Sequence, residues 1–418
     1  MALLIYNTAI FLYTLGLKFA ALFNNKAGAL IKGRKNWKKI LSAAVAQEGY
    51  WIWMHCASLG EFEQGRPLLE EIKKRHPQYK FLVTFFSPSG YTVRKNYEYA
   101  DAVLYMPSDT KANAEFFIEK LKPVLAIFVK YEFWYHHLNQ LYINNIKCIL
   151  ISATFSKEQS FFKWYGGIFR KLLNNFTAIF VQDQESVILL KNIGIKENVF
   201  VTGDTRYDRV AEIADKAQRI PGVENFLAGS KSLIAGSTWA SDEKIIKESL
   251  SAIPDDWKLI IAPHEISQDR LKYIEELFGD EIFFFSQLKT NTGVTTKKIL
   301  VIDNIGMLSS LYAYGTIAYV GGGFQKRRIH NILEPAIFGL PVIFFGQENK
   351  KSVEANELSR MGFAFPLSNA DQCRRVLNKL VNDEQECLRL SHSIKKYIRT
   401  KTGATHKIIL KIKQCKWI

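Results

Sequence analysis

The sequence has few cysteines and lacks the motifs of several common enzyme classes. Its five cysteines are scattered along 418 residues, form no CxxC pair and leave one over, so they predict neither a disulfide framework nor a structural zinc site. There is no DxD triplet, no Walker phosphate loop and no GxSxG nucleophile elbow. His136 and His137 have no carboxylate or cysteine partner at metal-binding spacing. We therefore expect a reducing, cytoplasmic setting, no metal site and no cofactor.

Acidic residues are missing from both ends of the chain. The first 47 residues carry seven lysines and arginines, residues 387–418 carry nine, and neither stretch contains an aspartate or a glutamate. Because the formal net charge is +16, the excess of positive charge lies wholly at the two termini. Such segments attract anionic partners, either a membrane surface or nucleic acid.

An apolar stretch precedes the first basic cluster and favours the membrane as the partner. In residues 2–23 Lys18 is the only charge, and a helix of this length can just cross a bilayer. Asn7, Thr8 and Thr14 leave open a helix that lies in the interface, and a buried core helix is a further alternative. The basic run that follows the stretch predicts a cytoplasmic flank and argues against a secretory signal.

Beyond residue 37, short β-rich runs alternate with amphipathic stretches, which is typical of parallel sheets covered by helices. We predict strands at residues 50–56, 80–85, 102–106, 125–129, 147–152, 178–182, 199–202, 232–235, 258–262, 282–285, 299–302, 316–320 and 342–345. The polar residues 204–230, with Pro221, Gly222 and Gly229, indicate a hinge. The sequence thus predicts an α/β protein with two Rossmann-like domains facing each other across a cleft.

Charged side chains follow several predicted strands of the first half. Glu61 lies in the loop after the first strand and could act as a general base, with Gly60 permitting an unusual backbone angle or close ligand approach. Alternatively, Glu61 is an acid that favours a helix N-terminus. Glu132 either has its pKa raised by the flanking aromatic residues or begins a helix beside the core. Arg206 either offsets negative charge on a phosphate or lies in a surface turn.

The second half contains two glycine-rich strand ends. Residues 236–238 precede a helix start at which backbone N–H groups could bind an anion, although many βα turns look alike. Residues 321–323 are three glycines that let a ligand approach the backbone. Asn331 and Glu334, three residues apart, share a helix face that could hold ribose hydroxyls. A strand, glycines and a polar helix start together indicate a nucleotide site.

The order of these motifs matches a known family. They are HCASLGE (55–61), TFFSPSG (84–90), YEFWY (131–135), ISATFS (151–156), GDTRYD (203–208), AGST (235–238), IAPHE (261–265), VIDNIGML (301–308), VGGG (320–323) and HNILEPA (330–336). This ordered set resembles the 3-deoxy-D-manno-octulosonic acid (Kdo) transferases of glycosyltransferase family 30, over almost the whole chain.

The resemblance implies a GT-B fold with an N-terminal membrane-anchoring helix and inverting, metal-independent transfer of Kdo from CMP-Kdo to a lipid A precursor, lipid IVA, in lipopolysaccharide core biosynthesis. It makes Glu61 the base, with Glu132 and Arg206 stabilising the transition state, and Ser58 and Gly60 acceptor contacts. The implied donor-binding residues are Ser237, Thr238, Pro263, His264, Gly306, Met307, Leu308, Gly321, Gly322, His330, Asn331, Ile332, Leu333 and Glu334.

The implied organisation has five segments on the cytoplasmic face of the bacterial inner membrane. They are a membrane-associating segment (1–36), an acceptor-binding domain (37–207), a linker (208–230), a CMP-Kdo-binding domain (231–395) and a basic segment packing back on the N-terminal domain (396–418). The expected partners are CMP-Kdo, the lipid A precursor and an anionic membrane surface, and not nucleic acid.

Three departures from the family pattern concern the donor. The chain reads Pro263-His264-Glu265 where the family often has Pro-Arg-His, and Gly306-Met307-Leu308 where it has Gly-Glu-Leu. Residues 325–329 do not end in glycines. Two alternatives therefore stay open: another GT-B transferase or epimerase that uses a UDP-sugar, and a non-enzymatic basic protein that binds membrane or nucleic acid.

Overall fold

The chain divides into two compact α/β units. Unit 1 comprises Met1–Arg209 and Thr402–Ile418, and unit 2 comprises Val210–Lys401. The structure is a computed structural model, and it describes residues 2–46, 48–289, 296–322, 324, 329–346 and 352–418.

The secondary-structure elements are numbered in chain order. The strands are β1 Tyr50–Cys56, β2 Tyr79–Phe85, β3 Ala102–Tyr105, β4 Leu125–Val129, β5 Lys147–Ala153, β6 Ala178–Val181, β7 Val199–Val201, β8 Ser232–Thr238, β9 Lys258–Pro263, β10 Ile282–Phe284, β11 Ile299–Val301, β12 Ile317–Val320, β13 Val342–Phe345 and β14 Ala364–Leu367. The α-helices are α1 Ala2–Ala20, α2 Asn25–Arg34, α3 Trp37–Ala44, α4 Leu59–Arg75, α5 Pro88–Arg94, α6 Lys111–Leu121, α7 Tyr135–Ile143, α8 Gly167–Asn174, α9 Gln184–Asn192, α10 Thr205–Asp215, α11 Pro221–Leu227, α12 Ala240–Glu248, α13 Gln268–Phe278, α14 Leu308–Leu311, α15 Leu333–Ile337, α16 Val353–Arg360, α17 Ala370–Asn382, α18 Glu384–Thr400 and α19 Ala404–Gln414. Short 3-10 helices are Ser160–Phe162, Leu250–Ala252, Gly279–Glu281, Phe285–Lys289 and Tyr312–Tyr314.

The sheet of unit 1 is parallel and covered on both faces. Its strand order in the described residues is β3-β2-β1-β4-β5-β6-β7. Successive side chains of a strand point to opposite faces, and β1 shows this directly. Trp51 and Trp53 pack in one core cluster, whereas Ile52 and Met54 pack in another. Because both faces are buried, the strand is a continuous apolar run rather than an alternating one.

The chain returns to unit 1 at its C-terminus. Helix α19 places Ile408, Ile409 and Ile412 in the same core cluster as Ile52 and Met54 of β1. Four of the nine C-terminal basic residues therefore belong to unit 1, together with the seven near the N-terminus.

The sheet of unit 2 is also parallel, with the order β10-β11-β9-β8-β12-β13-β14 in the described residues. Its core cluster takes side chains from four neighbouring strands, among them Leu300, Ile260, Ile234 and Ala318.

The structure confirms the predicted α/β fold with two parallel sheets. All thirteen predicted strands are present, and β8 continues three residues further than predicted, to Thr238. Strand β14 was not predicted, because four residues interrupted by Pro366 carry little periodic signal. The stretch predicted as a linker holds α11 and most of α10, so those residues are largely helical.

Helix α1 is long and apolar enough to cross a membrane, and none of its residues is fully buried. Tyr6, Ile10, Thr14 and Leu17 are half-buried on one side of the helix. Leu4, Phe11 and Phe19 on the other faces are 70%, 67% and 68% exposed. The buried core helix considered as an alternative is therefore excluded.

Candidate active site

Two predicted acids emerge at one edge of the unit 1 sheet. Strands β1 and β4 are neighbours, and the order of strands reverses direction between them. At such a switch point the connections leave on opposite faces, so a crevice forms beyond the carboxyl ends of the strands. Glu61 follows β1 and Glu132 follows β4, and the structure thus brings these two carboxylates into one place.

Glu61 lies in the first turn of α4 rather than in a loop. Ser58 caps this helix, with its Oγ accepting the Glu61 backbone N–H at 3.5 Å, and Glu61 Oε2 accepts the Ala57 N–H at 2.5 Å. Burial raises the pKa of Glu61, the negative charge of Glu132 raises it further, and the result is about 7. A carboxyl with this pKa can accept a proton near neutral pH.

The predicted role of Gly60 in an unusual backbone angle is wrong. Gly60 lies within α4 and is not among the glycines with positive φ. A Cβ at this position would meet only Ser58 Oγ, at 4.0 Å, so the space beside it is open to a ligand.

A buried chain of hydrogen bonds holds Glu132. Thr84 Oγ1 accepts the Trp53 indole N–H at 2.9 Å, which leaves its own hydrogen to donate to His55 Nδ1 at 2.8 Å. His55 Nε2 lies 3.1 Å from Glu132 Oε2 and also 3.1 Å from Trp134 Nε1, so the imidazole ring is held between Thr84 and these two side chains. Trp134 Nε1 donates to the same oxygen at 2.8 Å. The position of this carboxylate is therefore fixed by residues on strands β1 and β2 and on the loop after β4.

Arg206 forms an ion pair with Asp204, two residues before it in the chain. Its Nη2 and Nε donate to Asp204 Oδ2 at 2.6 and 2.9 Å. Burial alone would raise the pKa of Asp204, but the Arg206 guanidinium holds it below its ordinary value. Arg206 lies in the first turn of α10, so it is a helix residue and not part of a surface turn.

The second predicted site also lies at a switch point. In unit 2 the strand order reverses between β8 and β12, where Ser237 and Gly321 are found. A Cβ on Gly321 would come within 2.2 Å of the Ser237 carbonyl oxygen, so the close approach that needs glycine here is to the neighbouring strand. Thr238 is fully buried and its hydroxyl donates to Glu243 at 2.7 Å.

A buried carboxylate, Asp242, accepts one backbone N–H at the predicted anion-binding helix start and one from the neighbouring glycine-rich strand end. Asp242 Oδ2 accepts the N–H of Trp239 at 2.9 Å and of Gly322 at 3.1 Å, and Oδ1 accepts the Tyr319 hydroxyl at 2.9 Å. Burial raises the pKa of Asp242 to about 6 despite these donors. The sequence prediction missed this fully buried residue.

Three aromatic rings pack against one another beside this point. The His264 ring lies 4.6 Å from the Trp239 ring and 4.4 Å from the His330 ring, measured between centroids. Burial, followed by the neighbouring His264, lowers the pKa of His330 to about 4. The structure thus brings together His264 and His330, which are 66 residues apart in the sequence.

The other predicted donor residues lie in unit 2. Pro263 ends β9, and Gly306 is exposed with φ +96°. Met307 and Leu308 are half-buried, whereas Ile332 and Leu333 are fully buried. Asn331 Nδ2 donates to Glu334 Oε1 at 3.1 Å. Because Asn331 precedes α15, the two side chains meet at the helix start rather than along one face. Gly323 and residues 325–328 lie outside the described residues.

Sequence reasoning missed several polar residues that organise these sites. His55, Thr84 and Asp109 in unit 1 are buried, as are Asp242 and Glu243 in unit 2. His55 and Thr84 could have been noticed as polar residues inside apolar strands. Within the described ranges, no group of three or more histidine, cysteine, aspartate or glutamate side chains could hold a metal ion.

Comparisons with known proteins show which proteins this chain resembles. Residues 31–209 match the family model of the 3-deoxy-D-manno-octulosonic-acid transferases. The chain is 29% identical over 344 residues to the transferase of this name from Aquifex aeolicus, covering 80% of this chain and 87% of that protein. It is 26% identical over 375 residues to the Haemophilus influenzae transferase, covering 86% and 85%.

A solved structure shares the fold. The UDP-GlcNAc 2-epimerase from Neisseria meningitidis superposes with a TM-score of 0.59 at 15% identity, covering 87% of this chain and all of that one. Two parallel α/β units with polar residues at their strand ends, together with these matches, define a glycosyltransferase of the GT-B class. Within that class, the sequence similarity is to the Kdo transferases.

Proposed function

We propose that the protein transfers Kdo from CMP-Kdo to a lipid A precursor, lipid IVA, with inversion at the anomeric carbon and without a metal ion. The observation that carries this proposal is Glu61, a half-buried carboxyl at a strand-end crevice with a pKa of about 7. A hydroxyl acceptor needs such a base, because an alcohol is a weak nucleophile until its proton can leave.

In the proposed reaction the acceptor oxygen attacks the anomeric carbon of Kdo. A new C–O bond forms, the bond from that carbon to the phosphate of CMP breaks, and the acceptor proton passes to Glu61. CMP leaves with the bonding electron pair on its phosphate. Attack from the face opposite the leaving group gives inversion.

We assign stabilisation of the transition state to Glu132 and Arg206, and acceptor contacts to Ser58 and Gly60. The hydrogen bonds that fix Glu132 and the ion pair that orients Arg206 support these roles, because a preorganised group needs no rearrangement during the reaction.

We assign the CMP moiety to unit 2, at the end of β8 and β12 and along the loops that follow. The side chains of Ile332 and Leu333 are buried, so these residues would contact a donor through their backbone alone. The full proposed set is Ser237, Thr238, Pro263, His264, Gly306, Met307, Leu308, Gly321, Gly322, His330, Asn331, Ile332, Leu333 and Glu334.

We further propose attachment to an anionic membrane on its cytoplasmic face, with the segment boundaries given above for the acceptor and donor domains. The exposed apolar side chains of α1 and the basic residues that follow it support membrane contact. The same features give no reason to expect nucleic acid as a partner.

Incubation with CMP-Kdo and a tetraacylated lipid A precursor tests the function. We expect the product mass to rise by whole Kdo units, NMR of the product to show the inverted anomer, and EDTA to leave turnover unchanged. Parallel reactions with UDP-sugars test the alternative, and a CMP thermal shift reports donor binding alone. Turnover with a UDP-sugar but not with CMP-Kdo would exclude the proposal.

The hydrogen-bond chain to Glu132 allows a second prediction. We expect Thr84→Val, which keeps the shape but removes the hydroxyl, to lower kcat by about tenfold to a hundredfold, because the His55 ring loses the hydrogen bond that orients it beside Glu132. Thr84→Ser keeps the hydroxyl and is the matched control, so its kcat should stay within about threefold of wild type. Equal kcat values for the two variants, at equal thermal stability, would contradict the role of the chain.

A further inference from the structure

Unit 1 contains a cavity of about 420 Å³ that is lined in part by Glu132 and to which the proposed function assigns no ligand. Its volume is within the range of small-molecule sites, roughly 300–1,000 Å³. One wall is formed by Tyr6 and Ile10 of α1, and another by Phe133, Phe161 and Phe169. The cavity therefore links the apolar N-terminal helix to the loop that carries a proposed catalytic side chain.

The lining of this cavity selects for an uncharged apolar ligand. The rings of Phe133 and Phe161 pack edge to face with centroids 4.7 Å apart, and Phe161 packs against Phe169 at 5.9 Å. The charged side chains that line it are carboxylates, Glu132 and Glu158, and no lysine or arginine is among the described lining residues. Carboxylates repel phosphates and other anions, so a nucleotide or a phosphorylated head group does not fit here.

The α1 wall of the cavity is fixed to unit 1 by polar contacts. The Tyr6 hydroxyl donates to Asp109 Oδ2 at 2.5 Å and accepts the Tyr135 N–H at 3.2 Å. Asn7 Oδ1 accepts from His136 Nε2 at 2.7 Å. Asp109 is fully buried, so these contacts hold the helix against a rigid part of the unit. Helix α1 is therefore held in place as a wall of the cavity.

The opposite side of the same helix is exposed and apolar. Phe11, next to Ile10, is 67% exposed, and Leu4 is 70% exposed. The loop after the cavity-lining 3-10 helix Ser160–Phe162 presents Trp164 at 92% and Tyr165 at 56% exposure. Tryptophan and tyrosine are enriched at membrane surfaces. A lipid in contact with α1 can therefore enter the cavity from an apolar environment.

From these observations we infer that the cavity binds an alkyl chain of the lipid acceptor. The inference rests on the proposed function and adds where the acceptor's chain lies. A chain seated between Ile10 and Phe169 runs alongside Glu132, so the cavity helps to position the acceptor. Its ligand is the chain and not the head group.

Photo-crosslinking of the wild-type protein tests chain binding without any need for turnover. The probe is a long-chain fatty acid with a diazirine near its methyl end, added to the full-length protein in micelles. We expect labelled peptides from residues 131–134 and 158–169, and competition by the tetraacylated precursor. Labelling confined to the outer face of α1 would show membrane contact alone and would overturn the proposal.

A matched pair of α1 variants tests the effect on transfer. Ile10→Trp fills the cavity, whereas Phe11→Trp changes the neighbouring exposed position. We expect Ile10→Trp to raise KM for a long-chain acceptor at least about tenfold, since two methylenes excluded from an apolar site correspond to about that factor. In Ile10→Trp, KM for a short-chain acceptor should change less than about twofold. In Phe11→Trp, KM for the long-chain and for the short-chain acceptor should both change less than about twofold.

The outcomes separate this proposal from the proposed function. If wild-type protein transfers no Kdo but the cavity is labelled, the function fails and the binding site stands. If transfer occurs and Ile10→Trp behaves as Phe11→Trp does, with no cavity labelling, the function stands and the binding site is refuted.

Discussion

Glu61→Gln is expected to lower kcat for Kdo transfer by about 10²–10⁴-fold, the usual contribution of a general base. Glutamine keeps the size of the side chain and can still accept the Ala57 N–H, which Glu61 accepts at 2.5 Å. It cannot accept the acceptor proton. We expect the affinity for CMP to stay within about twofold of wild type, because the proposed donor residues belong to unit 2. Steady-state kinetics and a CMP thermal shift measure the two quantities.

The pH profile gives an independent readout of the same carboxyl. Because the pKa of Glu61 is about 7, wild-type kcat/KM should fall about tenfold per pH unit below that value. The folded-state pKa is raised above the unfolded value, so this group favours folding at low pH and that contribution is lost as pH rises through 7. Glu61→Gln should therefore be more stable than wild type at pH 8 and no more stable at pH 4.

Glu63→Gln is the matched control for Glu61. Glu63 lies two residues further along α4 and pairs with Arg66 and Arg94 at 3.4 and 2.7 Å. We expect its loss to change kcat by less than about threefold. Equal activities of Glu61→Gln and wild type, with CMP binding intact, would refute the assignment of the base.

The fold could be predicted from sequence because its strands are buried on both faces. A strand such as β4 is five consecutive buried residues, and such runs are visible without knowledge of their neighbours. Each strand-end acid could be found for the same reason. That β1 pairs with β4, which brings Glu61 near Glu132, was not predictable, because strand order depends on contacts far apart in the chain.

The partners of the polar residues inside unit 1 and unit 2 were harder to predict from the sequence than the strands. Asp242 lies in the first turn of α12, but the N–H of Gly322 that it accepts lies 80 residues away. Gly321 was predicted to admit a ligand, yet its missing Cβ makes room for the Ser237 backbone. In both cases the local residue type was informative, and the partner was decided by the tertiary structure.

Among the buried carboxylates, Asp109 is the one whose replacement we expect to lower the stability of the protein most. It accepts the backbone N–H of His136 at 2.9 Å and of His137 at 3.0 Å. These N–H groups lie in the first turn of α7, where the helix itself provides no acceptor. The side chain of His137 also donates to Asp109, from Nδ1 at 2.5 Å. The Tyr6 hydroxyl of α1 is a fourth donor. One side chain therefore caps α7 and holds the apolar helix.

We expect Asp109→Ala to lower the free energy of unfolding of unit 1 by about 3–5 kcal/mol, because several buried donors lose their acceptor together. Urea denaturation in detergent, followed by tryptophan fluorescence, measures this effect. Six of the eight tryptophans lie in unit 1, so the signal reports mainly on that unit.

The dependence on pH and a neighbouring control variant distinguish this effect from a general loss of packing. Burial alone would raise the pKa of Asp109, but the hydrogen bond from His137 brings it below its ordinary value. The stabilisation should thus be complete above about pH 4, the unfolded pKa, and disappear as pH falls through the lower folded value.

Glu115→Gln, at an exposed position in α6 paired with Lys111 at 3.7 Å, should change stability by less than about 0.5 kcal/mol. If Asp109→Ala changes stability no more than Glu115→Gln does at pH 7, Asp109 does not hold α1 and α7 together.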